Sequence, residues 1–369
     1  MLNTKRNENF NNNEIINVND LRKRIVNIDS SFRSNLLDST TNFLVKFDHP
    51  YKNVIRLRIG SVEIPNMEYV FSYQYHKNTF FTIQAYDYTN TLRTVLIQIP
   101  DGNYGSSDLM IQIKNIIIKK LFIPYGIYVD ITQDPIQIKT ILIHYGSIQI
   151  PSGGALPWPP TQYDWKYLTV TAGYNYKPPQ PFNLNFMVNE YKNREYDYGL
   201  GFNLGFRQKY YTISTPYEDL SGQYNVNPLG IVPESCIDVI GDMYYFLCVD
   251  DFHTVEHTGK DNYFQCLAKI IIRQSKGQVI YDDGSSLLSN DVVFPAPIDL
   301  KQVHIKLVNS YGEVISINDM TLSISLEITE VMNTKLYEFY RNYIWLGQIP
   351  QVAQNVQGSG QPLLGGRGP

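Results

Sequence analysis

Within the run Val249-Asp-Asp-Phe-His253-Thr-Val-Glu256-His257, two imidazoles stand four residues apart with a carboxylate beside the second. The spacing His253-x-x-Glu256-His257 matches the H-x-x-E-H pattern of inverted zinc peptidases. That chemistry requires a helix, because only there do residues four apart share a face, bind one metal and let the glutamate reach its water. The flanks oppose a helix. A strand-like apolar run ends in two aspartates before the motif, and Thr258-Gly-Lys-Asp-Asn follows it. Loop polarity between strands explains the segment more simply, so a zinc hydrolase is the last of three functional readings.

The remaining candidates for chemistry are sparser. His49, His76, His144 and His304 stand singly, and no G-x-S-x-G elbow or P-loop occurs. Gly199-Leu-Gly-Phe-Asn-Leu-Gly205 lacks the strand-to-helix setting of a dinucleotide site, so its glycines serve backbone turns. Asp101-Gly-Asn and Asp282-Asp-Gly lack the spaced acids and terminal glutamate of a calcium loop and read as turns. Cys236, Cys248 and Cys266 contain no C-x-x-C pair and are read as reduced core thiols, placing assembly in a reducing compartment. No catalytic residue, cofactor or metal is expected, and the chain is read as not an enzyme.

Composition narrows the class. Charged residues are 18% of the 369, against 43% hydrophobic, which excludes a disordered or highly charged tail protein. Lys plus Arg total 31 against 35 Asp plus Glu, the wrong balance for a protein that coats nucleic acid through phosphates. No stretch reaches the ~18 apolar residues of a membrane span, and the Asn-rich start has no apolar region of a secretory signal. Tyr 29, Phe 17, Pro 20 and Gly 24 favour strands and turns.

The elements that would position any site are strands. Period-two alternation predicts them at 42–47, 53–65, 80–85, 93–99, 136–143, 167–171, 242–250, 264–272, 302–308, 313–317 and 322–328. Asn309-Ser-Tyr-Gly supplies a hairpin turn. One amphipathic helix is expected from Ser106 to Leu121, with Leu109, Ile113, Ile116 and Ile117 on one face, a cap at Ser106 or Ser107, and Lys119-Lys120 near its C-terminus. A second short helix is expected over 334–346. Many short strands of even spacing predict an all-β fold of two tandem jelly-roll sandwiches, with the helix in the first half and extended termini. The expected organisation is an arm at 1–24, jelly rolls at 25–210 and 211–346, and a tail at 347–369.

The basic clusters Lys5-Arg6 and Arg22-Lys-Arg24 read as a solvated arm. Proline clusters around Trp158 and at Lys177-Pro-Pro-Gln-Pro flank a stretch expected to form stiff loops and an edge strand. Aromatics in such contexts, with a tail that has Arg367 as its one charged side chain and cannot form its own core, suit protein interfaces. The expected contact residues are Trp158, Trp165, Tyr343, Trp345, Ile349, Leu363 and Leu364.

An ordered set of segments adds a family likeness. Ile25-Val-Asn-Ile-Asp-Ser-Ser-Phe-Arg33, Leu57-Arg-Ile-Gly-Ser-Val-Glu-Ile-Pro-Asn66, Asp101-Gly-Asn-Tyr104, Gly199-Leu-Gly-Phe-Asn-Leu-Gly-Phe-Arg207, Tyr245-Phe-Leu-Cys-Val-Asp-Asp251 and the run from Ile298 to Ile315 resemble minor capsid proteins of nucleocytoplasmic large DNA viruses. The resemblance covers roughly residues 24–330, and residues 145–181 lie outside what aligns. It implies a jelly-roll shell protein beneath or between capsomers, assembled in a virus factory in the host cytoplasm. Its implied partners are the major capsid protein and other minor capsid proteins, near an internal viral membrane but without a span. A carbohydrate- or receptor-binding β-sandwich on the virion is the second reading, motivated by the same aromatics.

Overall fold

The computed structural model describes residues 21–150, 175–186, 199–217, 227–258, 263–285, 287–289 and 291–333. Strands are numbered β1 to β17 in chain order, and the architecture is an all-β sandwich, as the periodicity predicts. The largest sheet has the order β1 (Leu21–Asp29), β17 (Ser323–Val331), β2 (Asn42–Pro65), β16 (Val292–Val308), β11 (Tyr244–Val249) and β14 (Ala268–Ile271), with β15 (Val279–Asp282) also on β2. Its strands come from both ends of the described chain. Alternation explains their placement: Ile324, Leu326 and Ile328 of β17 are buried, as are Leu57, Ile59 and Val62 of β2. They meet Val26 and Ile28 of β1, Tyr245 of β11, and Val303, Ile305 and Leu307 of β16 in one core.

A second core belongs to the residues between β2 and β11. One sheet has the order β4 (Leu92–Gln98), β3 (Phe80–Tyr86), β8 (Phe182–Asn185) and β9 (Tyr210–Ile213). Another has β10 (Leu229–Ile231), β6 (Lys139–Ile148) and β5 (Ile127–Asp134), with β7 (Tyr176–Lys177) on β6. Helix α1 (Ser106–Ile117) continues through a π-helical turn, Ile118–Phe122, and a final turn, Ile123–Tyr125. Its Leu109, Ile113, Ile117 and Leu121 are buried with Phe81, Ile83, Val129 and Leu184. The helix ends where Gly126 takes φ 66°, the left-handed conformation that favours glycine. The last pair, β12 (Val255–His257) and β13 (Phe264–Cys266), forms a separate ribbon.

The two cores are therefore nested rather than consecutive. The expected division into 25–210 and 211–346 follows neither core, and its boundaries at 24/25 and 210/211 fall inside β1 and β9. Strand order along the chain cannot show which strands pair at distances of 300 residues. The basic cluster expected on an arm lies in β1, where Arg24 Nε meets Glu330 Oε2 at 2.7 Å.

Several local expectations also change. The predicted strands at 42–47 and 53–65 are one strand, β2, which carries Asn53 through φ 55°. Residues 135–138 form a turn, so the strand expected at 136–143 starts at Lys139. Residues 313–317 make an isolated bridge, Val314 to Val308, while Ile315 and Ile317 enter the core. The helix cap is Gly105, with no side-chain hydrogen bond from Ser106 or Ser107. Of the three free thiols, Cys266 is buried but Cys236 is exposed.

Candidate functional site

The residues that enter and leave the inner core converge on one carboxylate. Glu68 follows β2 by three positions and is buried. Tyr245 at the start of β11 donates its phenol to Glu68 Oε2 at 2.6 Å, and His76 Nε2 lies 3.2 Å from Oε1. Lys276 Nζ stands 3.9 Å from Oε2, beyond hydrogen-bond reach. Burial, and then the Glu68 charge, hold the Tyr245 phenol far above the ordinary tyrosine range. Burial lowers the Lys276 ammonium, opposed by Glu68 and Asp242.

Around this group lies a cavity of about 170 Å³ lined by Glu68, His76, Asn78, Asn203, Asp238 and Asp242, among others. Asn78 donates to Val70 O at 2.8 Å and to Asn203 Oδ1 at 3.1 Å, and Asn203 Nδ2 donates to Asp238 O at 2.9 Å. An adjoining cavity of about 250 Å³ shares Glu68 and His76 and adds Asp101 and Asp319. Asp101 accepts from Ser72 Oγ at 3.1 Å and from the Tyr73 N–H at 2.9 Å, so the Asp-Gly-Asn turn clasps the segment after Glu68. These bonds form a polar seam between the outer core, which Tyr245 enters, and the inner core beside Asn78 and Asn203. Sequence reasoning missed Glu68, which carries no periodic or motif signal.

A second surface is built by the β4-β3-β8-β9 sheet, whose inner positions fill the core. Its outer positions form two rows in register: Thr94, Gln84, Asn183, Thr212 and Leu96, Thr82, Asn185, Tyr210. No charge occurs in either row. Gln84 Nε2 donates to Thr94 Oγ1 at 3.2 Å and Asn183 Nδ2 to Gln84 Oε1 at 3.3 Å, a ladder across three strands. Tyr210 ends its row 67% exposed. The four-residue strands β8 and β9 are too short to be read by periodicity, so this face too was hidden.

The His253–His257 segment lies on no helix. His253 precedes β12 and its Nδ1 is 2.9 Å from Asp251 O, while His257 packs at 5.1 Å from Phe246 and 5.0 Å from Phe264. Glu256 alternates to the exposed side and accepts from Gln265 Nε2 at 3.3 Å. The two rings are not brought to one ligand position. Among the described residues no three His, Cys, Asp or Glu are placed to hold a metal, and no helix is long and apolar enough to cross a membrane.

The expected contact residues Trp158, Trp165, Tyr343, Trp345, Ile349, Leu363 and Leu364 lie outside the described residues, as do the strand expected at 167–171 and the helix expected at 334–346.

No protein-family model matches the sequence, and no curated protein matches it. Among solved structures, a chain in the cryo-EM structure of the Sputnik virophage is similar over 86% of this chain and 99% of its own length. The identity is 12% and the TM-score 0.36. At that score too little of the two chains superposes for the likeness to bear on function.

Proposed function

We propose that this chain is a non-enzymatic structural protein of a virus shell: a minor capsid protein that links or supports major capsid capsomers of a large icosahedral DNA virus. The ordered segments that resemble such proteins carry the reading. Their positions support it, because they supply β1, β2, β11, β16 and the helical turn α2 (Gly199–Asn203), which wall the two cores and their seam. The register of β1 on β17 also sets Leu21 beside Val331. The partners under this reading are the major capsid protein and other minor capsid proteins, the location is the virion capsid, and assembly takes place in the host cytoplasm.

Cross-linking mass spectrometry on purified virus particles tests it. Recurrent links to the major capsid protein are expected from Lys23 on the edge strand β1 and from Lys46, beside the β1–β2 loop. Absence of the chain from particles overturns the proposal.

The uncharged outer sheet face favours a second reading, a carbohydrate-binding module. Amide and hydroxyl groups pre-paired in a ladder beside an exposed tyrosine match the mixed polar and apolar faces of a neutral sugar. A glycan array read with the wild type and with Gln84→Ala decides it: specific binding lost in the variant supports it, and no binding removes it.

A further inference from the structure

Two thiols meet where β11 passes the ribbon of β12 and β13. The register of β11 on β14 runs from Tyr244 opposite Ile271 to Leu247 opposite Ala268. The Leu267 N–H also reaches Leu247 O at 2.8 Å, so Leu267 and Ala268 both stand opposite Leu247, the two-against-one arrangement of a β-bulge. All three side chains are buried in the outer core. One step further along each strand, the bulge sets Cys248 across from Cys266.

The surroundings of the two sulfurs agree. Cys266 is buried with Phe246 and Val308, and Cys248 packs against the same cluster, so both side chains leave their strands on the face opposite Leu247. Cys248 Sγ donates to Gln265 O at 3.9 Å, the carbonyl of the peptide bond that leads into Cys266, and Cys266 Sγ donates to Val255 O at 3.6 Å. Because Leu247 O faces the Leu267 side, alternation turns the Cys248 backbone groups toward β16. Cys266 O accepts the Thr254 N–H at 3.0 Å on the β12 side. The two residues thus form a non-hydrogen-bonded cross-strand pair, a position in which Cα atoms stand about 4.5 Å apart, inside the range of ~4.4–6.8 Å that a disulfide spans.

We propose that Cys248 and Cys266 are a dithiol pair that a low-molecular-weight disulfide oxidises, within the folded chain, to a covalent staple between β11 and the β12–β13 ribbon. The two sulfurs have different parts. Cys248 is half-buried, and the Lys306 ammonium opposes the rise that burial imposes on its thiol. Cys266 is fully buried, and burial, then Cys248, pushes its thiol up to about 12. Cys248 therefore attacks first: its thiolate bonds to one sulfur of the oxidant, and the other sulfur leaves as a thiolate. Cys266 then gives its proton to solvent and attacks Cys248 Sγ, expelling the remaining half of the oxidant as a second thiolate. Two protein thiols become one disulfide while the oxidant's disulfide becomes two thiols. The ribbon, which packs on the sheet through His257 and Phe264 against Phe246, is then tied to it covalently. The staple requires no shell partner.

The test incubates the purified full chain with oxidised glutathione under native conditions and reads the products by a non-reduced peptide map and a melting curve. A Cys248–Cys266 peptide link that dithiothreitol removes is expected, with a higher melting temperature in the oxidised form. In Cys236→Ser, which lacks the exposed third thiol, the intact mass should fall by two hydrogens with no glutathione retained. In Cys248→Ser, Cys266 should remain a thiol. Glutathione retained on Cys248, glutathione on Cys266 in Cys248→Ser, or a link from either residue to another copy would overturn the staple. So would two thiols left unreacted in the folded chain, a link that forms only in denaturant, or an oxidised form that melts lower. Should a variant fail to fold, the peptide map of the wild type decides alone.

Discussion

Tyr245 and Glu68 are 177 residues apart in sequence and 2.6 Å apart in space, and their hydrogen bond ties the start of the inner core to its end. Both are buried, and a hydrogen bond to a charged acceptor in such a place contributes about 1.5–3 kcal/mol. Tyr245→Phe removes the donor and keeps the ring in the outer core. A loss of about 2 kcal/mol in urea unfolding is expected, against almost none for Tyr210→Phe on the surface. Equal values for the two variants would show that the seam does not hold the cores together.

His144 stands on β6 between Val129 of β5 and Leu229 of β10, with the Phe182 ring at 5.2 Å. Burial lowers its pKa from 6.5 to about 4, opposed by the backbone of Gln180 and Gly146. The folded state resists the proton, so the unfolded chain binds it first. The stabilising term is complete above pH 6.5, falls as pH drops from 6.5 towards 4, and is gone below, a loss on the order of 3 kcal/mol. From pH 7 to 4 the stability of the wild type should fall relative to that of His144→Leu by roughly that amount. Parallel curves would refute the assignment.

Gly201 sits in α2 against the Phe186 ring, which would overlap any Cβ placed there. Phe186 is itself packed against Phe81 and Phe206 at 5.6 and 4.9 Å. Gly201→Ala should therefore destabilise by roughly 1–3 kcal/mol, despite the helix preference of alanine. Thermal melting checks the sign; a stabilised variant would mean that the ring moves freely.

Zinc should not bind at His253, Glu256 and His257, because a strand sends Glu256 away from His257. Metal analysis of the purified chain and a melting curve with added zinc should find neither stoichiometric metal nor a shift. His257→Ala should instead cost stability by uncovering Phe246 and Phe264. One bound zinc lost in that variant would reverse this conclusion.

What the sequence determined by itself is local. Leu322 to Ile328 alternate because a strand with one buried face must alternate, and the Leu109, Ile113, Ile117 stripe follows from the helical repeat. These periods depend on neighbours in the chain, so composition and pattern sufficed for an all-β class, β17 and α1. Tertiary structure decided the rest: that β1 pairs with β17, that one core nests within the other, that Glu68 meets Tyr245, and that Cys248 comes to face Cys266. Register between strands 300 residues apart is settled by which faces bury together, and a carboxylate gains its partners only once those faces have met. A lone Glu68 or Cys266 therefore carries no mark in the chain that separates it from any other glutamate or cysteine.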